Sequence, residues 1–169
     1  MARLKLTNLL SFKTYFNLVA DEHVDIGGFK WGDKNVVKND NRSNITPSFL
    51  WVVPYEQSRY SDILSDNIIK TKPVALSFMK VRESAKFADE EADYEFCEAV
   101  MEQIMARIIK DKRGAMGATN WEMLVANISS AVGAPVETTI GSTRYIGWEL
   151  KLDFMENGNL AYDAAKWTD

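Results

Sequence analysis

Residues 87–114 read FADEEADYEFCEAVMEQIMARIIKDKRG and predict the longest helix of the chain. Apolar side chains recur there at the i, i+3, i+4, i+7 spacing that places them on one side of a helix. They are Phe96, Cys97, Val100, Met101, Ile104, Met105 and Ile108. Acidic residues fill the first turns and basic residues the last ones, which suits the helix dipole, and Gly114 is predicted just past the helix end. Such a helix needs a surface on which to bury its apolar side, and the neighbouring sequence offers a sheet.

Apolar runs on either side of this helix predict the strands of that sheet. Residues 48–55, SFLWVVPY, are almost wholly apolar, and a second strand region extends from Asn67 to Val81. Pro73 either divides that region or marks its start. Residues 143–155 form the last clear element, and within it Trp148 to Phe154 alternate strictly between apolar and polar side chains, which is typical of a half-buried strand. Residues 136–140 then form its hairpin partner across Gly141-Ser142.

The remaining segments predict two shorter helices, a loop and a tail. A first helix is expected at 6–22, and a short one is expected to begin near Thr119 and to end at Gly133 and Pro135. Residues 24–47 are rich in Gly, Asn and Asp, and they predict a long irregular loop that holds a hairpin at most. The tail, residues 156–169, is polar.

Together these segments predict one α+β domain over residues 1–169. Strands joined by short turns pair antiparallel, and helices bury their apolar sides against a sheet. We therefore expect an antiparallel sheet of about four strands, with the long helix and the N-terminal helix packed on one face.

Composition narrows the classes of function. A hydrophobic content of 46% is typical of a globular domain, and a net charge of −4 without a large basic block argues against a free-standing nucleic-acid binder. The single cysteine, Cys97, excludes an intramolecular disulfide and is expected in the core. No segment is long enough to span a bilayer, and Lys13 interrupts the apolar run near the N-terminus. These features predict a soluble protein that is made and kept in a cytoplasm.

The sequence contains no recognisable catalytic motif. Gly27, Gly28 and Gly32 do not match a phosphate-binding loop, and the only histidine, His23, has no supporting motif. The segment from Asp33 to Asn44 is as rich in Asp and Asn as calcium loops, without their central Gly and terminal Glu. Glutamates at helical spacing predict a solvated face of the long helix rather than paired acid and base groups; they are Glu91, Glu95, Glu98 and Glu102. We therefore expect no catalytic residue, no metal and no cofactor.

The order of these elements resembles that of the tail-terminator and tail-completion proteins of long-tailed bacteriophages, and more broadly of neck and head–tail joining proteins. The elements are a leading helix, a loop, the strand SFLWVVP, the strand VALSFMKV, the acid-started long helix and the closing strand YIGWELKLDF. The resemblance covers residues 6–155, and it is one of element order and not of a diagnostic motif.

The resemblance implies a non-enzymatic virion protein, assembled in the host cytoplasm, that forms a ring with copies of itself, often a hexamer. Such a ring contacts tail-tube or connector proteins, and DNA passes through it without specific binding. The acidic composition is consistent with this role, because an acidic surface does not hold the DNA phosphates. No membrane contact is implied. We expect the 24–47 loop and the tail to form the subunit contacts, with Phe29, Trp31 and Trp167 as anchors. The substitution Trp31→Asp is then expected to abolish ring assembly and to leave the monomer folded.

Two other classes of function stay open at this point. One is a monomeric adaptor that binds another protein through an exposed aromatic patch. The other is a small cytoplasmic ligand-binding or enzyme domain, in which the 24–47 loop with Asp33, Lys34 and Asp40 would act as a lid. Self-association distinguishes the virion protein from the adaptor, whereas binding of a metal or nucleotide in a thermal-shift screen favours the ligand-binding or enzyme domain.

Overall fold

The computed structural model describes residues 9–33, 37, 46–54, 59–62, 68–82, 87–116 and 125–158. It confirms the predicted α+β class, with helices and a sheet that pack against each other. The helices are α1 (Leu9–Glu22) and α2 (Phe87–Met116). The strands are β1 (Phe29–Trp31), β2 (Ser48–Val53), β3 (Arg59–Asp62), β4 (Ile68–Val81), β5 (Val125–Ile140) and β6 (Thr143–Gly158).

The sheet has more strands than the sequence predicted, and it is mixed. Its order is β1-β2-β4-β6-β5, and β3 pairs with β4 on the edge that β2 also uses. All pairs are antiparallel except β1 with β2, which is parallel. The two additional strands, β1 and β3, lie in polar or glycine-rich stretches. The predicted loop at 24–47 therefore contains a strand, and its later part connects two parallel strands, which needs a crossover.

Strand β4 continues through Pro73, which the sequence suggested as a break or a start. Residues 75–80 pair with β2 and residues 68–71 pair with β3, so none of the described residues pairs with β4 on that edge around Pro73. On its other edge β4 pairs with β6 throughout, where Pro73 lies opposite Asp153. Proline has no backbone N–H and cannot donate a hydrogen bond to a neighbouring strand. Pro73 lies between the residues of β4 that pair with β2 and those that pair with β3, where the described strands accept no such bond.

The short helix that was predicted from about Thr119 is wrong over its second half. From Val125 onward the chain forms β5, the second strand of a long hairpin with β6, and residues 117–124 lie outside the described residues. Gly133 and Pro135 do not end a helix; they lie within β5. Because β5 is an edge strand in the described sheet, a proline is tolerated there. The predicted hairpin of residues 136–140 across Gly141-Ser142 is confirmed, and Gly141 has a φ of 64°.

Both helices pack on one face of the sheet, as predicted. Phe12 and Phe16 of α1 contact Phe154 of β6 with ring centroids 5.1 and 6.1 Å apart. The apolar side of α2 contributes Cys97, Val100, Met101, Ile104 and Ile108 to the same core. Burying one such apolar side chain contributes about 1.5–3 kcal/mol. The helix continues two residues beyond Gly114, which therefore lies inside its last turn and not past its end.

The opposite face of the sheet carries a second, smaller apolar cluster. It consists of Val37, Phe49, Trp51, Met79, Ile140 and Tyr145. Val37 belongs to the segment between β1 and β2, so this segment covers part of the second face at that point. The last strand, β6, extends to Gly158, so the predicted polar tail begins as strand, and residues 159–169 lie outside the described residues.

Candidate assembly surface

The residues predicted as subunit anchors occupy different parts of the chain. Phe29 and Trp31 lie in β1, where both side chains are half-buried and pack against the main core, with ring centroids 6.3 Å apart. Trp167 lies outside the described residues. Since Trp31 contacts the core, Trp31→Asp is expected to destabilise the monomer as well as any contact that the exposed part of its ring makes.

His23 and Cys97, the only histidine and the only cysteine of the sequence, both have structural roles. His23 follows α1 directly; its Nε2 lies 3.1 Å from Oε1 of Gln103, and its Nδ1 accepts a hydrogen bond from the Asp25 backbone N–H at 3.2 Å. It therefore joins the end of α1 to α2. Cys97 is fully buried, and burial raises the pKa of its thiol to about 12. This confirms the prediction that Cys97 is a core residue.

Most of the residues that the sequence suggested for a lid or a metal site lie outside the described residues. Asp33 is described, whereas Lys34 and Asp40 are not. Within the described ranges, no three His, Cys, Asp or Glu side chains are placed so that they could hold a metal ion. None of the helices in the described part of the chain combines the length and the apolar character that crossing a membrane requires.

A groove between α2 and the β5–β6 hairpin is the surface that sequence reasoning missed. Its volume is about 460 Å³, and we name it the α2–β5 groove. It is lined by Glu91, Tyr94, Glu95, Glu98, Pro135, Glu137 and Trp148. The four residues from α2 have the i, i+3, i+4, i+7 spacing that places side chains on one side of a helix. The sequence showed this glutamate series as a solvated face; the pairing of β5 with β6 brings Pro135 next to Trp148 opposite it.

The floor of the groove depends on Gly133. A Cβ atom added at this residue would lie 2.7 Å from Nε1 of Trp148, which is too close for a real contact. The glycine therefore leaves room for the indole ring to lie across β5. Trp148 is half-buried and Pro135 is exposed, so the groove presents apolar surface between its carboxylates.

The charges around the groove divide into two groups. Arg82 donates to Glu90 at 2.6 Å, and Lys80 donates to Asp93 at 2.6 Å, so these two acids of α2 are neutralised by β4 and the residue that follows it. Arg144 forms a two-pronged pair with Glu137, and that hydrogen bonding lowers the pKa of the Glu137 carboxyl.

Three carboxylates of the groove lack such compensation. Within the described part of the chain, no cation forms an ion pair with Glu91, Glu95 or Glu98. Burial, and then the charges of Glu90 and Glu137, raise the pKa of the neighbouring Tyr94 phenol. Carboxylates beside aromatic rings favour binding of a cation such as a lysine or arginine side chain.

Comparison with known proteins adds no relative, because the chain matches no protein-family model and no curated sequence. Any assignment of function therefore rests on the residues themselves.

Proposed function

We propose that this chain is a non-enzymatic structural subunit that assembles with copies of itself into a ring in the tail or neck of a bacteriophage. The proposal begins from the order of the sequence elements. The α+β class and the packing of both helices on one face of the sheet are consistent with it. In this role the ring contacts tail-tube or connector proteins and lets DNA pass without binding it specifically.

The single observation that carries self-assembly is the free edge of β5. This strand has sixteen residues and pairs only with β6 among the described strands. A long unpaired edge is a ready surface for another chain, and natural monomers usually cover or shorten it. A contact between this edge and a different surface of the next copy is heterologous, and such contacts close into rings when the rotation permits.

Light scattering behind a sizing column, over a wide range of protein concentration, tests this proposal. We expect a mass that rises to a fixed multiple of 19.2 kDa, and negative-stain images that show a closed ring with a central hole. Images should be taken both of the protein alone and after mixing with tail tubes. A protein that stays monomeric in both conditions contradicts the proposal.

The α2–β5 groove favours a second candidate, a monomeric adaptor. Its unpaired glutamates and its tryptophan suit a basic segment of another protein. An adaptor is expected to remain monomeric at every concentration and to bind lysine-rich or arginine-rich peptides with an affinity that falls as salt is added. Self-association without peptide binding excludes this candidate.

A further inference from the structure

Helix α2 carries opposite charges at its two ends, beyond what the helix dipole requires. Its first turns hold Asp89, Glu90, Glu91, Asp93, Glu95 and Glu98. Its last turns hold Arg107, Lys110, Lys112 and Arg113, with Asp111 among them. The dipole acts only within the first and last turn of a helix, whereas Glu95 lies in the third turn and Glu98 in the fourth.

Part of each charged end is already used within the subunit. Arg107 pairs with Glu22, which joins α2 to α1, and with Asp111 of its own helix at 2.8 Å. Lys110 is exposed, and within the described residues no ion pair includes it. Among the described residues, therefore, neither the three groove glutamates nor Lys110 has an ion-pair partner within the subunit.

One copy cannot bring its own two surfaces together. Lys110 follows Glu95 by fifteen residues in a continuous helix, which places them about 22 Å apart along the axis. A rigid helix keeps that separation, so the complementary charges can meet only between copies.

The groove also presents apolar surface. Pro135 is exposed on the edge strand β5 and lines the groove opposite the half-buried ring of Trp148. A contact there would therefore combine burial of apolar surface with charge pairing.

We infer that the α2–β5 groove receives the C-terminal end of α2 from a second copy of this chain, with Lys110 seated among Glu91, Glu95 and Glu98. The inference rests on the proposed self-assembly and names its contact. The groove and the helix end are different surfaces, so each copy offers one and fills the other, which is the arrangement of a ring. Lys112 and Arg113 follow in the same helix end and add positive charge to it.

A charge exchange between two variants tests this contact. One variant carries Glu95→Lys with Glu98→Lys, so that Lys110 meets two lysines in the groove. The other carries Lys110→Glu, so that residue 110 has the same charge as the groove glutamates. Each variant alone is expected to self-associate at least about tenfold more weakly than the wild type, since two attractive contacts become repulsive. An equimolar mixture is expected to assemble again, because residue 110 of each variant then meets residues 95 and 98 of opposite charge in the other.

The matched control is Asp89→Lys with Glu102→Lys, which changes the same number of exposed acids on the same helix outside the groove. This control is expected to assemble as the wild type does. Sedimentation velocity gives the masses, and far-UV circular dichroism establishes that each variant is folded. Recovery in the mixture cannot result from misfolding, because both partners are the same proteins that failed to assemble alone.

The outcomes separate this contact from the proposed ring. Rings that form equally well with either variant alone overturn the groove contact and leave the ring intact. A wild-type dimer that the variants abolish and their mixture restores supports the groove contact and overturns the ring. A wild type that stays monomeric both alone and after mixing with tail tubes overturns both.

Discussion

Replacing Gly147 with alanine is expected to strain the centre of the sheet. Gly147 lies on β6 directly opposite Met79 on β4. A Cβ atom at this residue would overlap with the carbonyl oxygen of Phe78 and would lie 2.7 Å from Sδ of Met79. The methionine side chain can rotate away, whereas the carbonyl belongs to the backbone of β4 and can move only with the strand.

The expected loss of stability in Gly147→Ala is the difference between a cost in the folded state and a gain from the unfolded state. Overpacking a well-packed site costs about 1–3 kcal/mol, and a backbone collision belongs at the upper end of that range. Alanine also restricts the unfolded chain, which returns about 0.4–1 kcal/mol. We therefore expect Gly147→Ala to lower the free energy of unfolding by about 2–2.5 kcal/mol, which corresponds to a Tm lower by about 4–10 °C for a domain of this size.

Urea unfolding followed by circular dichroism measures this difference, and Gly141→Ala is the matched control. Gly141 has no atom within 4 Å of its added Cβ, and its φ of 64° is the only source of strain. Its cost is expected to be about 1 kcal/mol or less, because left-handed strain and the restricted unfolded chain partly cancel. If Gly147→Ala proves as stable as the wild type, the close approach of β4 and β6 at this register is refuted.

Three further predictions concern single side chains. Cys97 is expected to resist alkylation at pH 8 until the protein is unfolded in denaturant, because burial raises the pKa of its thiol to about 12; a native protein that reacts rapidly contradicts this placement. Tyr15 donates to Asp111 at 3.1 Å, and burial, then that carboxylate, raise its pKa above the ordinary 10.0. The folded state thus holds this proton more tightly, and wild-type stability should fall as pH rises above about 10, more steeply than that of Tyr15→Phe in pH-dependent urea unfolding. Tyr145→Phe is expected to stabilise the protein by about 0–1 kcal/mol in the same assay, because the Tyr145 hydroxyl is buried without a hydrogen-bond partner among the described residues; a loss of stability would reveal one.

The helices and strands whose apolar residues recur at a regular spacing were predictable from the sequence. The spacing of apolar residues in α2 and the strict alternation in β6 each indicate one buried side, and the structure buries most of both. The exception in α2 is Phe96, which was predicted on the buried side and is 41% exposed. The hairpin at Gly141-Ser142 was also predictable, because glycine accepts the left-handed backbone that a tight turn requires. Local patterns of this kind are sufficient to predict an element whose conformation depends on residues that are close together in the sequence.

Strand β5 shows where local patterns fail. Its residues include Gly133 and Pro135, which ordinarily end a helix or interrupt a strand. Their roles depend on long-range pairing: Gly133 makes room for Trp148 on β6, and Pro135 lies on an edge strand. Neither condition can be seen until the register between β5 and β6 is known.

The same limit applies to the α2–β5 groove. Its glutamates were visible as a series along the predicted helix, and the interpretation as a solvated face is consistent with the exposure of Glu91 and Glu95. The sequence did not show that Trp148 would lie opposite these glutamates, because it follows Glu98 by fifty residues. Only the packing of α2 across the hairpin places an aromatic ring beside those carboxylates.

The distribution of apolar surface favours assembly through the edge of the sheet and not through its faces. One face is covered by α1 and α2, and around Trp51 and Met79 the other is buried with Val37. A partner that approached either of these regions would have to displace packed side chains, at a cost comparable with that of core substitutions. Among the described residues, the β5 edge and the adjoining groove require no such displacement. In the proposed ring, contacts there would leave the core of each subunit unchanged, so that a folded monomer would add without rearrangement.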